Sequence, residues 1–251
     1  MNRVELLKTI VPIAQEAGEA TLRFYGKTTA TEKADGSPVT AADQAAEDVI
    51  LPKLRALTPE IPVISEEEAS KGLSPEVAGA RFWLVDPLDG TKEFISQNGE
   101  FTVNIALIEN GAPVLGVVVV PALNQVFAGV VGEGATLNGE KISARVPADE
   151  GLIVVGSRSH GDASAMDSYL AGLKVAKFRT AGSSLKLCLI AQGEADLYPR
   201  LGTTMEWDIA AGDAVLRAAG GRVETLDGTP FTYGKVDYRN PHFAAFGNWR
   251  R

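Results

Sequence analysis

The 251-residue sequence has little of several residues on which common protein chemistries depend. Its single cysteine, Cys188, excludes an internal disulfide and favours a reducing compartment. Cys188 lies in the apolar stretch LKLCLIA, which indicates a core residue. With only two histidines, His160 and His242, a histidine-rich metal site is not expected. Acidic residues outnumber basic ones, and the formal net charge of -8 argues against a protein that coats nucleic acid.

Long apolar runs and several familiar catalytic motifs are also missing. The most apolar stretch, VLGVVVV at 114–120, lies between two prolines and is too short to span a bilayer. The first 26 residues carry charges throughout, unlike a signal peptide. The sequence contains no G-x-S-x-G, no H-E-x-x-H and no P-loop. We therefore expect a cytoplasmic protein without an integral membrane segment, whose chemistry depends on other residues.

Hydrophobic periodicity predicts two halves of different type. The first has an N-terminal amphipathic helix whose apolar face is formed by Val4, Leu7, Val11, Ala14 and Ala17. A second helix follows, with Thr40 and Asp43 spaced as in a capping box. Short strands then alternate with turns, including Asn138-Gly139, which suits a type I′ hairpin.

After residue 150 strands and helices alternate regularly. We therefore predict an α+β subdomain over 1–150 and an α/β subdomain over 151–251, packed along a long shared boundary.

Carboxylates follow apolar stretches at three places in the chain. They are the run Glu66, Glu67 and Glu68 after PVIS, the pair Asp86 and Asp89 in WLVDPLDGTKEF, and Asp208 after MEW. Each place has a simpler explanation: a solvated loop, a turn, or the first turn of a helix. Taken together, they are typical of a Mg²⁺ site, because Mg²⁺ prefers oxygen ligands contributed by a few carboxylates. Two such ions can activate water in phosphoryl transfer.

The stretch DPLDGT also invites comparison with the D-x-D-G-T motif of aspartate-nucleophile phosphatases. In that motif the aspartates are two residues apart, whereas Asp86 and Asp89 are three apart and lie deep in the chain. We reject this alternative on both grounds.

The segments SEEE, WLVDPLDGTKEF and WDIAAGDAVLRAAGG, in this order and spacing, resemble the inositol monophosphatase-like family of Mg²⁺-dependent, lithium-sensitive phosphatases. Within it, the segments SRSH, GSSLKLC and LYPR are most similar to the bacterial 3′(2′),5′-bisphosphate nucleotidases. The resemblance covers nearly the whole chain. It implies a layered αβαβα sandwich and removal of the 3′-phosphate from adenosine 3′,5′-bisphosphate, or from its sulfated form, in sulfur assimilation.

The resemblance also implies roles for individual residues. The metal ligands, for two or three Mg²⁺ ions, would be Glu66, Asp86, the Leu88 carbonyl, Asp89 and Asp208. Glu67 is the alternative to Glu66, since the run of three glutamates leaves the register open by one residue. The catalytic residues would be Glu66 together with Asp43 and Thr91, which would orient the attacking water.

Substrate recognition is implied for residues of both halves. The substrate-binding set would be Leu88, Asp89, Gly90, Thr91, His160, Ser183, Lys186, Arg200 and Asp208. A nucleotide bisphosphate carries a second phosphate that needs cationic donors, which Lys186 and Arg200 would supply. Each of these also has an ordinary explanation: a helix cap for Ser183, surface charges for Lys186 and Arg200, and a loop position for His160.

Two other functions remain open at this point. An inositol or sugar monophosphatase of the same family would share the metal site, and only residues such as Lys186, Arg200 and His160 would distinguish it. A non-catalytic nucleotide or metal sensor would not need Thr91. We expect a small-molecule nucleotide as partner, no nucleic-acid polymer, and a monomer or homodimer in the cytoplasm, either free or peripherally attached to the inner face of the plasma membrane.

Overall fold

The structure, a computed structural model, describes residues 1–27, 31–32, 38–39, 41–75, 81–157 and 163–251. The helices in these ranges are α1 (Arg3–Leu22), α2 (Ala41–Leu57), α3 (Glu66–Ser70), α4 (Thr91–Ile95), α5 (Ala163–Leu170), α6 (Leu185–Ala191) and α7 (Glu206–Ala218), with a 3₁₀ turn at Pro121–Leu123. The strands are β1 (Thr31–Glu32), β2 (Pro38–Val39), β3 (Val63–Ser65), β4 (Arg81–Asp89), β5 (Thr102–Glu109), β6 (Ala112–Val120), β7 (Gln125–Val130), β8 (Gly134–Leu137), β9 (Glu140–Ile142), β10 (Leu152–Ser157), β11 (Val175–Ala181), β12 (Leu197–Arg200), β13 (Arg222–Thr225) and β14 (Phe243–Phe246).

Two larger sheets organise the chain. The first has seven strands in the order β3-β4-β5-β6-β7-β8-β9, in which β3 and β4 are parallel and all other neighbours antiparallel. The second has five strands in the order β11-β10-β12-β14-β13; β10 is parallel to both of its neighbours, and β14 is antiparallel to both of its own. The short strands β1 and β2 pair with each other. The two larger sheets come from opposite sides of residue 150, and the division into two subdomains there stays a prediction.

Five layers follow from the way the helices cover these sheets. Helices α1 and α2 pack on one face of the seven-stranded sheet, and α7 packs on the other. Helices α6 and α7 also contact strands of the five-stranded sheet, so they form a shared middle layer. Tyr169 and Leu170 of α5 pack on the outer face of that second sheet. The predicted αβαβα arrangement is therefore confirmed.

The middle layer lies unusually close to the first sheet. Gly116 of β6 and Gly129 of β7 are directly paired across the two strands. A Cβ atom added to Gly116 would lie 2.5 Å from the Ala211 carbonyl oxygen of α7, and one added to Gly129 would lie 2.9 Å from the Ala218 Cβ. Only glycine therefore permits α7 to rest on these strands. This close packing fixes the helix that carries Asp208.

The sequence-based predictions can be compared with individual elements. The predicted α1 is present, but Val4 is exposed, because the buried face is shifted around the helix to Leu6, Ile10 and Ile13 together with the predicted Ala14 and Ala17. The hairpin turn is confirmed, since Asn138 and Gly139 both have positive φ. Cys188 is fully buried, as predicted for a core residue. Thr40 of the predicted capping box lies outside the described residues. None of the helices in the described ranges has the length and apolarity needed to cross a bilayer.

Candidate active site

A β-bulge in β4 places Asp86 and Asp89 on the same face of the sheet. Side chains alternate between faces along a strand, so two residues three positions apart would normally point to opposite sides. Asp86 pairs with Asn104 and Asp89 with Thr102, so that three steps on β4 match two steps on β5. The extra residue in β4 restores the same orientation for both aspartates. This bulge is the structural reason for the spacing of the D-P-L-D motif.

The first carboxylate, Asp86, is almost completely buried at the bulge. Its Oδ1 accepts a hydrogen bond of 3.0 Å from the Leu88 N–H, and its carboxyl also hydrogen-bonds to Glu66, the first residue of α3. The Leu88 side chain packs with Phe94 and Phe101, which anchors the bulge in an aromatic cluster. Asp86 and Glu66, from adjacent parallel strand ends, therefore lie in contact.

The second carboxylate, Asp89, is connected to the other half of the chain through Ser184. The Ser184 N–H donates to Asp89 Oδ2 at 2.5 Å, and the Ser184 hydroxyl donates to the Asp208 carbonyl at 2.7 Å. Asp208 Oδ2 in turn accepts the Met205 N–H at 2.8 Å, as a residue in the first turn of a helix commonly does. Ser184 thus joins both aspartates, a role that the sequence did not reveal.

The pKa values of three aspartates are raised by burial first and by neighbouring carboxylates in addition. Burial raises the pKa of Asp86 well above its usual range, and the charges of Glu66, Asp89 and Asp208 raise it further. Burial likewise raises the pKa of Asp208, with added contributions from Asp89 and Glu66. Asp89 has a pKa of about 6, raised by burial but lowered in part by Lys186 and the Ser184 N–H. A group of carboxylates held together despite burial and mutual repulsion is typical of a site that binds cations.

A cleft of about 610 Å³ opens beside these carboxylates between the two halves of the chain. Of the residues predicted for the site, the structure places eight on its wall: Glu66, Asp89, Gly90, Thr91, Ser183, Lys186, Arg200 and Asp208. Glu67 is buried away from this wall, so the geometry favours Glu66 for the role that the sequence left open between them.

Four predicted residues are not among the described residues of the cleft wall. Asp86 and Leu88 are buried behind it, at the bulge, and Asp43 is buried on α2. The prediction for His160 falls at a position outside the described residues.

Two buried cations, Lys186 and Arg200, line the same cleft as the carboxylates. The Lys186 ammonium donates to the carbonyls of Ser183 at 2.6 Å and Ala181 at 3.3 Å, and lies 5.4 Å from the centre of the Tyr198 ring. Burial lowers its pKa to about 8, although the Asp89 charge opposes that shift. Arg200 donates to the Thr203 carbonyl at 2.8 Å, while its buried Nε has no hydrogen-bond partner among the described residues. These two cations can therefore accept an anionic group.

The turn that carries Ser183 is itself held from the first half of the chain. Ser183 has a positive φ of 44°, which is strained for a residue with a side chain. Its hydroxyl donates to the Glu100 carbonyl at 2.7 Å, and the Gly182 N–H donates to the Glu100 carboxylate at 2.8 Å. Glu100 therefore fixes the turn that positions Ser184. Sequence reasoning missed Glu100, because no local pattern marks a contact between residues so far apart.

Other cleft residues also escaped the sequence analysis. They are Lys92, Glu93, Ser157, Ser184, Leu187, Tyr198, Thr203, Thr204 and Ile209. Several of them adjoin the predicted residues in the sequence. Their position in or next to the segments GSSLK, LYPR and DGT was therefore the one signal that could have indicated them.

Comparison with known proteins decides which family this arrangement belongs to. The model of the inositol monophosphatase family matches residues 2–247 of the chain. The chain belongs to the inositol monophosphatase family. The 3′(2′),5′-bisphosphate nucleotidase CysQ of Escherichia coli (strain K12) is 46% identical, over 95% of this chain and 98% of its own. The CysQ of Buchnera aphidicola is 40% identical, over 96% and 93% of the two chains.

Solved structures of the family agree with the fold. CysQ from Bacteroides thetaiotaomicron, a bacterial member of the family, is 36% identical with a TM-score of 0.81, covering 98% of each chain. An inositol monophosphatase from Anabaena is 30% identical with a TM-score of 0.80, covering 99% of this chain and 93% of its own. The family resemblance predicted from the sequence is confirmed.

Enzymes of the inositol monophosphatase family are metal-dependent phosphatases that generally use Mg²⁺. The donor set fits that ion, because Glu66, Asp86, Asp89 and Asp208 supply the hard oxygen ligands that Mg²⁺ prefers. Within the described ranges, however, no three acidic, histidine or cysteine side chains converge as ligands of a single ion. Each of the three aspartates accepts one backbone N–H, which leaves its other lone pairs for a cation.

Proposed function

We propose that this protein is a Mg²⁺-dependent 3′(2′),5′-bisphosphate nucleotidase that removes the 3′-phosphate of adenosine 3′,5′-bisphosphate to give AMP and phosphate. The sulfated analogue would be processed in the same way. The observation that carries the proposal is the cleft, whose lining combines the carboxylates Glu66, Asp89 and Asp208 with the cations Lys186 and Arg200. A substrate with two phosphates needs both kinds of group, since one phosphate would lie at the metal ions and the other at fixed cations. The full-length similarity to bisphosphate nucleotidases supports the same substrate.

The carboxylates in and behind the cleft would hold the metal. Glu66, Asp86, Asp89, Asp208 and the Leu88 carbonyl are the proposed ligands, and two ions would account for a set of four carboxylates. When bound, Mg²⁺ supplies Lewis-acid stabilisation of the phosphoryl oxygens and lowers the pKa of bound water. Burial and mutual repulsion together raise the pKa values of Asp86 and Asp208, and a bound cation would favour their charged forms.

Thr91 and Asp43 are proposed to orient the attacking water. Thr91 is the first residue of α4 and lies on the cleft wall directly after Gly90. Asp43 is 2% exposed on α2 and is not on the cleft wall. It would orient the water from behind that wall and would also be the ligand of a third ion. Gly90 and Thr91 also present donors to the transferred phosphate. These assignments rest on position and on the family resemblance together.

Lys186 and Arg200 are proposed to bind the 5′-phosphate. The Arg200 Nε is a buried donor without a hydrogen-bond partner among the described residues, which an anion would satisfy. The Lys186 ammonium uses its contacts with Ser183 and Ala181 to hold its position, and one N–H remains for the substrate. Ser183, on the same turn, stays a predicted substrate-binding residue, although its hydroxyl proton is already donated to the Glu100 carbonyl. A role for His160 beside the nucleoside stays a prediction.

The decisive experiment compares two substrates at saturating Mg²⁺. Purified protein is assayed for phosphate release from adenosine 3′,5′-bisphosphate and from inositol 1-phosphate, and the two kcat/KM values are compared. The proposal expects a clear preference for the bisphosphate. A preference for inositol 1-phosphate would favour the rival inositol or sugar monophosphatase, and binding of either compound without phosphate release would favour a non-catalytic sensor.

Other properties stay predictions of the same proposal. Lithium is expected to inhibit, because it would occupy a Mg²⁺ position with less charge. The number of bound ions can be measured by calorimetric titration, and the choice between monomer and homodimer by sedimentation. The cytoplasmic location and the peripheral association with a membrane are likewise untested.

A further inference from the structure

Two polar side chains of β5 are buried without hydrogen bonds. Thr102 is 0% exposed and Asn104 is 1% exposed. Neither the Thr102 hydroxyl nor either polar atom of the Asn104 amide has a hydrogen-bond partner among the described residues. Buried polar groups are nearly always paired, so these two residues require an explanation.

Their position in the sheet supplies one. Asn104 lies directly opposite Asp86, and Thr102 lies directly opposite Asp89. Residues opposite each other in antiparallel strands share a face and have Cβ atoms about 4.5–5.5 Å apart. The two unpaired groups therefore lie beside the two carboxylates of the bulge. Elsewhere on this face of the sheet, β5 presents the apolar residues Ala106 and Ile108.

The chemistry of the two pairs is complementary. A carboxylate that binds a metal keeps free lone pairs, and such ligands are normally oriented by hydrogen bonds from neighbouring residues. One backbone N–H already donates to each carboxylate, from Leu88 to Asp86 and from Ser184 to Asp89. The Asn104 amide has two donor hydrogens and the Thr102 hydroxyl has one. Each therefore places a donor opposite a carboxylate that still has lone pairs to accept it.

We propose that Asn104 and Thr102 are positioning residues for the metal ligands: Asn104 donates to Asp86, and Thr102 donates to Asp89, when these carboxylates hold Mg²⁺. This inference rests on the proposed function. It adds two residues that lie outside the ligand set and explains why an apolar face of the sheet carries polar side chains at these two positions.

The test replaces each residue by an apolar one of similar shape, with Asn104→Leu and Thr102→Val. Removing a buried polar group that has no partner should leave thermal stability in EDTA equal or higher. The Mg²⁺ concentration for half-maximal turnover should rise roughly 10-fold to 100-fold, the effect typical of losing such a partner. The Mg²⁺-induced increase in Tm should shift to higher Mg²⁺ in parallel. Asn104→Thr keeps a donor on a strand-compatible side chain and should recover most of the lost affinity.

Thr58→Val provides a matched control. Thr58 is also a buried threonine, but its hydroxyl accepts from the Trp83 indole and donates to the Leu54 carbonyl. This variant should lose stability in EDTA and keep the parent's Mg²⁺ dependence. If Asn104→Leu and Thr102→Val fold and show the parent's Mg²⁺ dependence in both turnover and Tm, the inference is wrong while the proposed function stands. A parent protein without Mg²⁺-dependent turnover would refute both.

Discussion

Neutralising Asp89 should stabilise the metal-free protein while abolishing its response to Mg²⁺. The pKa of Asp89 rises from its usual value of about 3.9 to about 6. A shift of that size corresponds to about 3 kcal/mol of stability lost when the group is ionised at neutral pH. The asparagine introduced by Asp89→Asn carries no charge, and its amide oxygen can still accept the Ser184 N–H. That pKa already includes the attraction of Lys186. The gain is reduced because the NH₂ group of the introduced asparagine needs an acceptor in a buried site.

We therefore expect Asp89→Asn to be about 1–2 kcal/mol more stable than the parent in EDTA at pH 7.5. For a chain of this length that corresponds to a Tm increase of about 2–8 °C. The stability gain of Asp89→Asn should depend on pH in a definite direction. A carboxylate with a raised pKa costs nothing below its unfolded pKa of about 3.9. The cost grows from there to the folded pKa of about 6 and is constant at higher pH. The gain should shrink to about a third of its full value at pH 4.5.

The assay is thermal or urea unfolding of both proteins in EDTA at pH 4.5 and 7.5, repeated with Mg²⁺. Mg²⁺ should stabilise the parent strongly and the variant little, and turnover of the variant should be lost. Asp167→Asn, which removes an exposed carboxylate from α5, is the control and should change neither property. A variant that is less stable than the parent in EDTA at pH 7.5, or whose gain does not depend on pH, would refute the electrostatic reasoning.

Three further predictions concern single residues. Lys186→Met should lower kcat/KM for the bisphosphate roughly tenfold to a hundredfold, with little effect on a simple phosphate monoester, and should remove the decline in kcat/KM expected of the parent above pH 8. Gly116→Ala should cost about 3 kcal/mol in urea unfolding, because its Cβ would meet the Ala211 carbonyl at 2.5 Å. Arg145→Ala should cost about 2–3 kcal/mol in the same assay without changing the Mg²⁺ dependence. It would strip the fully buried Asp196 of two 2.8 Å hydrogen bonds, although the Arg145 side chain is itself one-third exposed.

The elements of this fold were largely readable from local patterns, since strands and helices beyond residue 150 alternate as predicted and the Asn138-Gly139 hairpin has the expected backbone. Short helices were not predicted: α3 and α4 have five residues each, too few for a hydrophobic period to show. The position of Val4 was wrong for a different reason. A broad apolar stripe does not reveal which of its edges meets the sheet.

The candidate site was predictable where carboxylates end apolar stretches and where the family resemblance supplied the cationic residues. The sequence could not show that a bulge turns Asp86 and Asp89 to one face, because bulges leave no reliable local signature. Nor could it reveal Ser184 or Glu100, whose contacts join segments more than 80 residues apart. Those contacts depend on tertiary packing alone.

The shared middle layer has a consequence for how the chain is synthesised and dissected. The seven-stranded sheet is complete once residue 142 has been made, but the helix that covers one of its faces begins only at Glu206. Until then, the apolar face that includes Leu84, Ala106 and Val118 has no cover from α7. A fragment ending at residue 150 should therefore aggregate or bind chaperones, and unfolding of the whole protein should be one cooperative transition rather than two.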